Sequence, residues 1–424
     1  MANTLLTLTL ITREALRILH NNIVFAKGVN RQYSAEFAQT GAKVGSSINV
    51  RKPNKYPIRT GPTLNIAGTA ENYVPLVLTT QAGVDTSFSS VDLTLSLDDF
   101  GKRILSPAMA RVSSKIDFDG LQVAGYQTYN FVGNAGNTPG SNTGTVGATN
   151  STLAPAIFLN AGMFMDNFAT PRDENRRIIL NPLAQASTVG NLSGLYNDQG
   201  TLGTQYRKGV MGQALGFEFA MDQNVSVFAV GNRVATAGNA NAANQTGTSL
   251  VMNGFAANAS INAGEKFSFA NIYSVNPENG QSTSLPQQFT VLANSNSNAN
   301  YLCDAAGNVT LNISPGIYTA ASNGNANATV TALPANGQAA TFMGAASVAN
   351  YVMNMAYHQD AFTLATADLI LPGGVDFAAR ETYDGISMRI VRAYDITNDL
   401  FPTRIDVLYG FAALRPEFAC VIWG

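Results

Sequence analysis

Charge is what this sequence has least of. Of its 424 residues, 12% are Asp, Glu, Lys or Arg, about half the roughly 25% usual in soluble domains. The 25 basic and 27 acidic side chains nearly cancel, leaving a net charge of −2. That balance argues against a dedicated nucleic-acid binder, which is normally basic. A polar surface with little charge also repels its own copies weakly, which favours dense self-association. Cysteine is almost absent: Cys303 and Cys420 are too few for a disulfide framework or a cysteine-based zinc site. The two histidines, His20 and His358, have no second His or Cys at ligand spacing, so H-E-x-x-H and zinc patterns are missing. No run reaches the roughly 18 apolar residues that a membrane helix needs. The opening MANTLLTLTLITREALRILHNN carries no basic region before its apolar run and no A-x-A site after it, so no secretory signal is expected.

Signatures of catalysis are missing too. DDFGKRIL has a Gly-Lys pair but neither the upstream glycine nor the Ser/Thr of a phosphate loop, and GNAGNTPG and GVMGQALG lack G-x-G-x-x-G. G-x-S-x-G does not occur. Asp98-Asp99 reads as a dipole-stabilising helix start, and His358 with Asp360 as a local turn contact. No catalytic, cofactor-binding or metal-ligating residue is assigned, and an enzyme is not expected.

What is present is organised in blocks. Thr12 reads as an N-cap for a helix over Arg13–Phe25, with Ala15, Leu16, Leu19 and Ile23 on one face. Ser47 to Arg51 alternates as a strand, after which Pro53, Pro57, Gly61 and Pro62 punctuate a loop. Arg51, Lys52, Lys55 and Arg59 make that loop the most basic patch of the chain. It is either a solvated loop or an arm reaching to another subunit. VPLVLTT, VDTSFSS and VDLTLSL are β-type runs. Ser106 as N-cap and Pro107 as first helical residue open a helix read through to Val132, about 39 Å long at 1.5 Å per residue. Such a length suits a spine. A flexible Gly/Asn/Thr/Ser loop over 133–151 follows. LAPAIFLNAGMFMDNFATP then reads as a helix, RRIILNP as a strand, ASTVGNLSGLYN as a short helix and QALGFEFAMDQNV as a strand.

From Ala235 the texture changes. Between Val234 and Tyr357 only Glu265, Lys266, Glu278 and Asp304 are charged, and short runs such as KFSFANIYSV, QFTVLA and NVTLNI recur. Short strands at fairly regular spacing indicate a β-barrel or sandwich, inserted into a mixed core that the chain leaves near 230 and re-enters near 350. ISMRIVRAYDIT, PTRIDVLYGFAAL and FACVIWG supply the closing strands. The last one, with Phe418, Cys420, Ile422 and the single tryptophan Trp423, is too apolar for a frayed terminus and is expected to be buried.

The order of these segments, with TREALRILHNNIVFAKGVNR, LTLSLDDFGKRILSPAMARVSSKID, HQDAFTLATADLILP and YGFAALRPEFACVI, resembles the major capsid (coat) proteins of tailed bacteriophages, in particular those of short-tailed Salmonella phages. The resemblance implies an α+β HK97-like fold carrying an inserted all-β, barrel-like domain. By this likeness 1–45 would be an N-terminal arm, 46–85 an extended E-loop with flanking strands, and 86–149 a peripheral domain whose spine helix covers about 107–132. An axial domain would combine 150–230 with 350–424 around a β-domain inserted at 231–349. The implied function is self-assembly of hexamers and pentamers into the icosahedral shell of a virion enclosing double-stranded DNA. The implied partners are a scaffolding protein, a portal and packaged DNA without sequence readout, with no cofactor and no membrane. Arg51, Lys52, Lys55 and Arg59 would contact a neighbouring subunit, and Phe418 to Trp423 would sit in the axial sheet. The competing class is a secreted surface-layer or adhesin-type β-rich protein, for which the chain offers neither a leader nor a D-x-D-x-D-G calcium loop.

Overall fold

The computed structural model describes residues 8–33, 47–56, 61–62, 72–89, 105–139, 154–191, 211–233, 237–294, 300–323, 327–345 and 351–424. The Asp98-Asp99 turn, the VDLTLSL run and most of the 133–151 loop lie outside them. Contacts divide the chain into two units. One comprises Met1–Val50, Tyr73–Leu121 and Phe362–Leu414, the other Arg51–Asn72, Gln122–Ala361 and Arg415–Gly424.

In chain order, α1 (Leu8–Asn22) is followed by β1 (Ser47–Arg51), β2 (Tyr73–Val77), β3 (Thr80–Ser89) and the long helix α2 (Ser106–Gln127). Then come β4 (Phe131–Val132), α3 (Ala154–Asn167), β5 (Arg176–Leu180), α4 (Pro182–Asn191), β6 (Gln213–Ala214), β7 (Phe217–Met221) and β8 (Val227–Phe228). The insert holds β9 (Ala237–Ala240), β10 (Gly247–Asn253), β11 (Ser260–Asn262), β12 (Lys266–Val275), β13 (Ser282–Val291), β14 (Asn300–Leu302), β15 (Val309–Ile317) and β16 (Ala339–Phe342). After it come β17 (Tyr351–Val352), β18 (Asn354–His358), β19 (Phe362–Ala367), β20 (Phe377–Tyr383), β21 (Ile386–Arg392), β22 (Leu400–Ala413) and β23 (Ala419–Ile422).

The first unit is organised by β22. Its residues Leu400–Tyr409 pair antiparallel with Thr80–Ser89 over ten registered positions. Its other neighbours are β19 and β21, and β20 pairs with β21. Gly83 permits the close approach to β22, because a Cβ there would lie 2.3 Å from the Ile405 carbonyl oxygen. The buried carboxylate of Asp406 receives Gln81 at 2.5 Å and the Arg389 guanidinium at 2.8 and 3.1 Å. α1 buries Ala15, Leu16 and Leu19 as its spacing predicts and packs against β20 and β21. It is pinned by His20, whose Nε2 lies 2.8 Å from Asp384 at the β20–β21 turn. Asp117 of α2, 1% exposed, accepts the N–H groups of Val24 and Ala26 at 2.6 and 2.9 Å, fixing the chain that leaves α1.

The second unit holds a six-stranded mixed sheet in the order β4-β23-β18-β5-β7-β6. β5 and β7 precede the insert and run parallel, while β18 and β23 follow it and run antiparallel to each other and, for β18, to β5. Segments on both sides of the insert therefore meet in one sheet. α3 covers it, burying Ile157, Phe158, Ala161, Phe164 and Met165 against Phe217, Phe219, Cys420 and Ile422. The sheet takes less of 350–424 than the sequence suggests: 362–414 belongs to the first unit. Ten paired positions with β3 decide the matter, since each strand's ladder groups must find partners. α2 ends at Gln127 and not at Val132, because Phe131 and Val132 pair as β4 with β23.

The insert is a closed barrel in the order β10-β15-β13-β12-β16-β9, which removes exposed sheet edges. Inward positions of β12, β13 and β16 supply an aromatic centre: the Phe267 ring lies 4.9 Å from Phe342 and 5.4 Å from Phe289. Leu250, Leu311 and Ile313 complete it.

Candidate assembly surfaces and the barrel anchor

The final strand lies inside the mixed sheet, between β4 and β18. Cys420 and Ile422 are wholly buried, Phe418 and Trp423 nearly so. The Trp423 backbone N–H donates to the Val132 carbonyl at 3.0 Å, and the indole ring lies 5.7 Å from Phe131. Beyond it, Gly424 exchanges hydrogen bonds with the 134–137 turn, donating to Asn137 and accepting from Asn134, each at 2.9 Å. Gly133, at φ +83°, allows this approach, because a Cβ would stand 2.3 Å from the Trp423 carbonyl oxygen. Asn130 clamps the start of the strand through its amide, which donates to Glu417 and Ala419 carbonyls at 3.2 and 3.1 Å.

The basic residues lie where β1 runs out. Arg51 and Lys55 are exposed and Lys52 is half-buried, its N–H donating to Asn72 at 2.7 Å. Desolvation lowers the Lys55 pKa, with the charges of Glu417, Lys52 and Arg415 acting behind it, and Tyr56 beside it is 64% exposed. Arg59 lies outside the described residues. His358 is buried at the end of β18, with Nδ1 accepting the Asp360 N–H at 3.2 Å and Nε2 3.0 Å from Asp173. That bonding makes Nε2–H the donor, the part of a strand terminator. A groove of about 580 Å³ lies between α3 and the β6–β7 hairpin, with Leu159, Met163 and Leu215 on its walls. At its polar end Asp166 binds both Arg172 and Arg176.

Sequence reasoning missed the device that anchors the barrel. Arg233, on the incoming linker, and Glu265, just before β12, form an ion pair at 2.5 Å with both side chains fully buried. The same guanidinium donates to the carbonyls of Met343 and Gly344 on the outgoing linker at 3.0 and 2.9 Å, and stacks 4.8 Å above the Phe342 ring. Glu265 accepts the N–H groups of Gly231 and Asn262 at 2.9 and 2.8 Å. Both linkers are thus tied to one buried ion pair, the incoming one through Glu265 and the outgoing one through Arg233. Its neighbour Lys266, 1% exposed, donates to Gly125 at 3.0 Å and to Thr128. Thr290, its cross-strand partner, donates to Tyr126 at 3.0 Å. Gln288 bonds both backbone groups of Phe131, at 2.7 and 2.9 Å. The signal was available: Glu265-Lys266 is an adjacent charged pair in a segment with almost no charge, and such residues are rarely there without a partner.

A family profile described as P22 coat protein, gene protein 5, matches residues 1–423. The chain is therefore a phage coat protein, a major capsid protein of which many copies form the virion shell. It belongs to the P22 coat protein family. No curated protein matches it. Among solved structures it is similar to one titled Mycobacterium phage Che8, at 11% identity over 94% of this chain and 90% of that one, with a TM-score of 0.48. The capsid structure of Cyanophage P-SCSP1u aligns at 9% identity over 89% and 83%, with a TM-score of 0.43. The asymmetric unit of the bacteriophage PhiM1 mature capsid aligns at 10% over 89% and 82%, with a TM-score of 0.41.

Proposed function

We propose that this coat protein is a purely structural subunit whose basic loop, Arg51, Lys52, Lys55 and Arg59, meets carboxylates of a neighbouring copy. The β3–β22 unit serves as the peripheral domain and the six-stranded sheet as the axial domain around which hexamers and pentamers close. A scaffolding protein and a portal take part in assembly, and double-stranded DNA is packaged without being read, so no groove-reading motif is needed. The observation that carries the loop's role is its exposure: Arg51 ends β1, and Lys55 and Tyr56 project from the segment after it, 52–56, which has no regular structure. Exposed ion pairs are worth about 0–1 kcal/mol each, so they set register, and repetition over many copies supplies the strength.

The test is a charge reversal, Arg51→Glu with Lys55→Glu, in the full chain. The expected result is a subunit with unchanged circular dichroism that forms few closed shells by sedimentation and electron microscopy. Shell yield and shape equal to the unaltered protein would reject the loop's role.

A further inference from the structure

We propose that Lys266 is a proton-sensitive cap that seats the inserted barrel on the end of α2, and that acidification weakens the seat. α2 and the turn after it present carbonyl oxygens at Gly125, Tyr126 and Thr128, which have no intrahelical donor left at a helix end. Side chains from two adjacent barrel strands take all three: Lys266 of β12 takes Gly125 and Thr128, and Thr290 of β13 takes Tyr126. The cap comes from about 140 residues further along the chain, from a different fold element. It is therefore formed or lost with the seating of the barrel.

What makes the cap unusual is its isolation. The groups facing Nζ are few. β23 presents Cys420, whose thiol burial holds far above its ordinary range and so uncharged. β13 presents Thr290 and Gln288, and α2 presents Tyr126 and carbonyls. Glu265, the adjacent carboxylate, is turned to Arg233. Among the described residues no carboxylate compensates the ammonium, so desolvation dominates, and it lowers the Lys266 pKa from 10.5 to about 7. A neutral amine still donates two hydrogen bonds, enough for both carbonyls.

The direction follows from linkage. Between pH 7 and 10.5 the unseated lysine holds its proton and the seated one has released it. Seating therefore strengthens as pH rises through that window, by up to about tenfold per unit. Below pH 7 both states are protonated, the pH term vanishes and the seat is at its weakest. The inference does not depend on the role of the basic loop, since it concerns a single subunit.

The experiment uses the full-length chain at a concentration low enough to keep it monomeric, at pH 6 to 10. A [13Cε]lysine NMR titration of the unaltered protein reads the amine directly, and hydrogen exchange over 125–132, corrected for intrinsic rate, reads the seat. The expected results are one lysine resonance titrating near pH 7 and an opening equilibrium that falls as pH rises. In Lys266→Met that resonance disappears and the pH slope with it, whereas Thr290→Val opens more at every pH and keeps the slope. A Lys266 resonance that stays protonated to pH 10 overturns the proposal, as does an equal slope in Lys266→Met. Should Lys266→Met not fold, the titration of the unaltered protein alone decides.

Discussion

At Arg233 and Glu265 the cost of burial is offset only while both partners are present. Replacing one leaves the other charged in an apolar setting, so Glu265→Gln or Arg233→Met should each cost about 3–5 kcal/mol of stability. The Arg233→Met/Glu265→Leu double variant should lose clearly less than the sum, which urea unfolding of the four proteins checks. Asp222 gives a second residue-scale expectation. One of its oxygens accepts the backbone and amide of Asn224 at 2.8 Å, while the other is buried without a partner among the described residues. Burial raises its pKa, so the folded state binds the proton more readily than the unfolded one and stability falls as pH rises through that range. Asp222→Asn should therefore melt higher than the parent at pH 7, with the gap closing toward pH 4 in calorimetry. Trp423→Ala, which empties a site walled by Phe131, should cost about 3–5 kcal/mol and shows whether the last strand holds its sheet together. Burial of that strand was legible from Phe418, Cys420, Ile422 and Trp423 alone. The Arg233–Glu265 pair was not, because its partners stand 32 residues apart and nothing local brings them together.

Elements with a local cause were read well. Ser47 to Arg51 alternates and is β1, and Ala15, Leu16 and Leu19 share a face and are buried, although α1 runs over Leu8–Asn22, so that Thr12 lies inside it and is not its N-cap. The end of α2 was misplaced although Thr128 to Val132 are weak helix formers and Phe131 and Val132 favour strands; β23 takes that pair as β4. QALGFEFAMDQNV, read as one strand, is the β6–β7 hairpin, turning at Leu215 and Gly216 with φ of +54° and +80°. A leucine in that conformation is unusual, which is why no turn was visible. The pairing of β22 with β3 spans more than 300 residues of sequence and had no signature. It yields a prediction at this scale. Gly83→Val would place side-chain atoms against the Ile405 carbonyl and should loosen β3 selectively, seen as faster hydrogen exchange over 80–89 and 400–409 with the six-stranded sheet unaffected.

For the whole molecule, low charge has a measurable consequence. With 25 basic and 27 acidic residues in 424, long-range repulsion between copies is small, and several of the charges neutralise each other in pairs such as Arg389–Asp406 and Arg392–Asp376. Shell formation should therefore respond to ionic strength between 0.05 and 0.5 M through the basic loop's exposed pairs alone, by less than about tenfold in the threshold concentration, since elsewhere screening has little to remove. Light scattering at graded salt measures it. The inserted barrel was legible at this scale as a change in texture at Ala235, and its limits follow from where the two linkers are tied. Because one arginine holds both linkers, the barrel's two ends leave the host sheet side by side, as the pins of a plug do. A foreign peptide spliced into the β9–β10 turn, residues 241–246, would therefore strain neither the socket nor the sheet beneath. It would be carried once per subunit, in a turn whose Ala242, Ala243 and Asn244 are exposed.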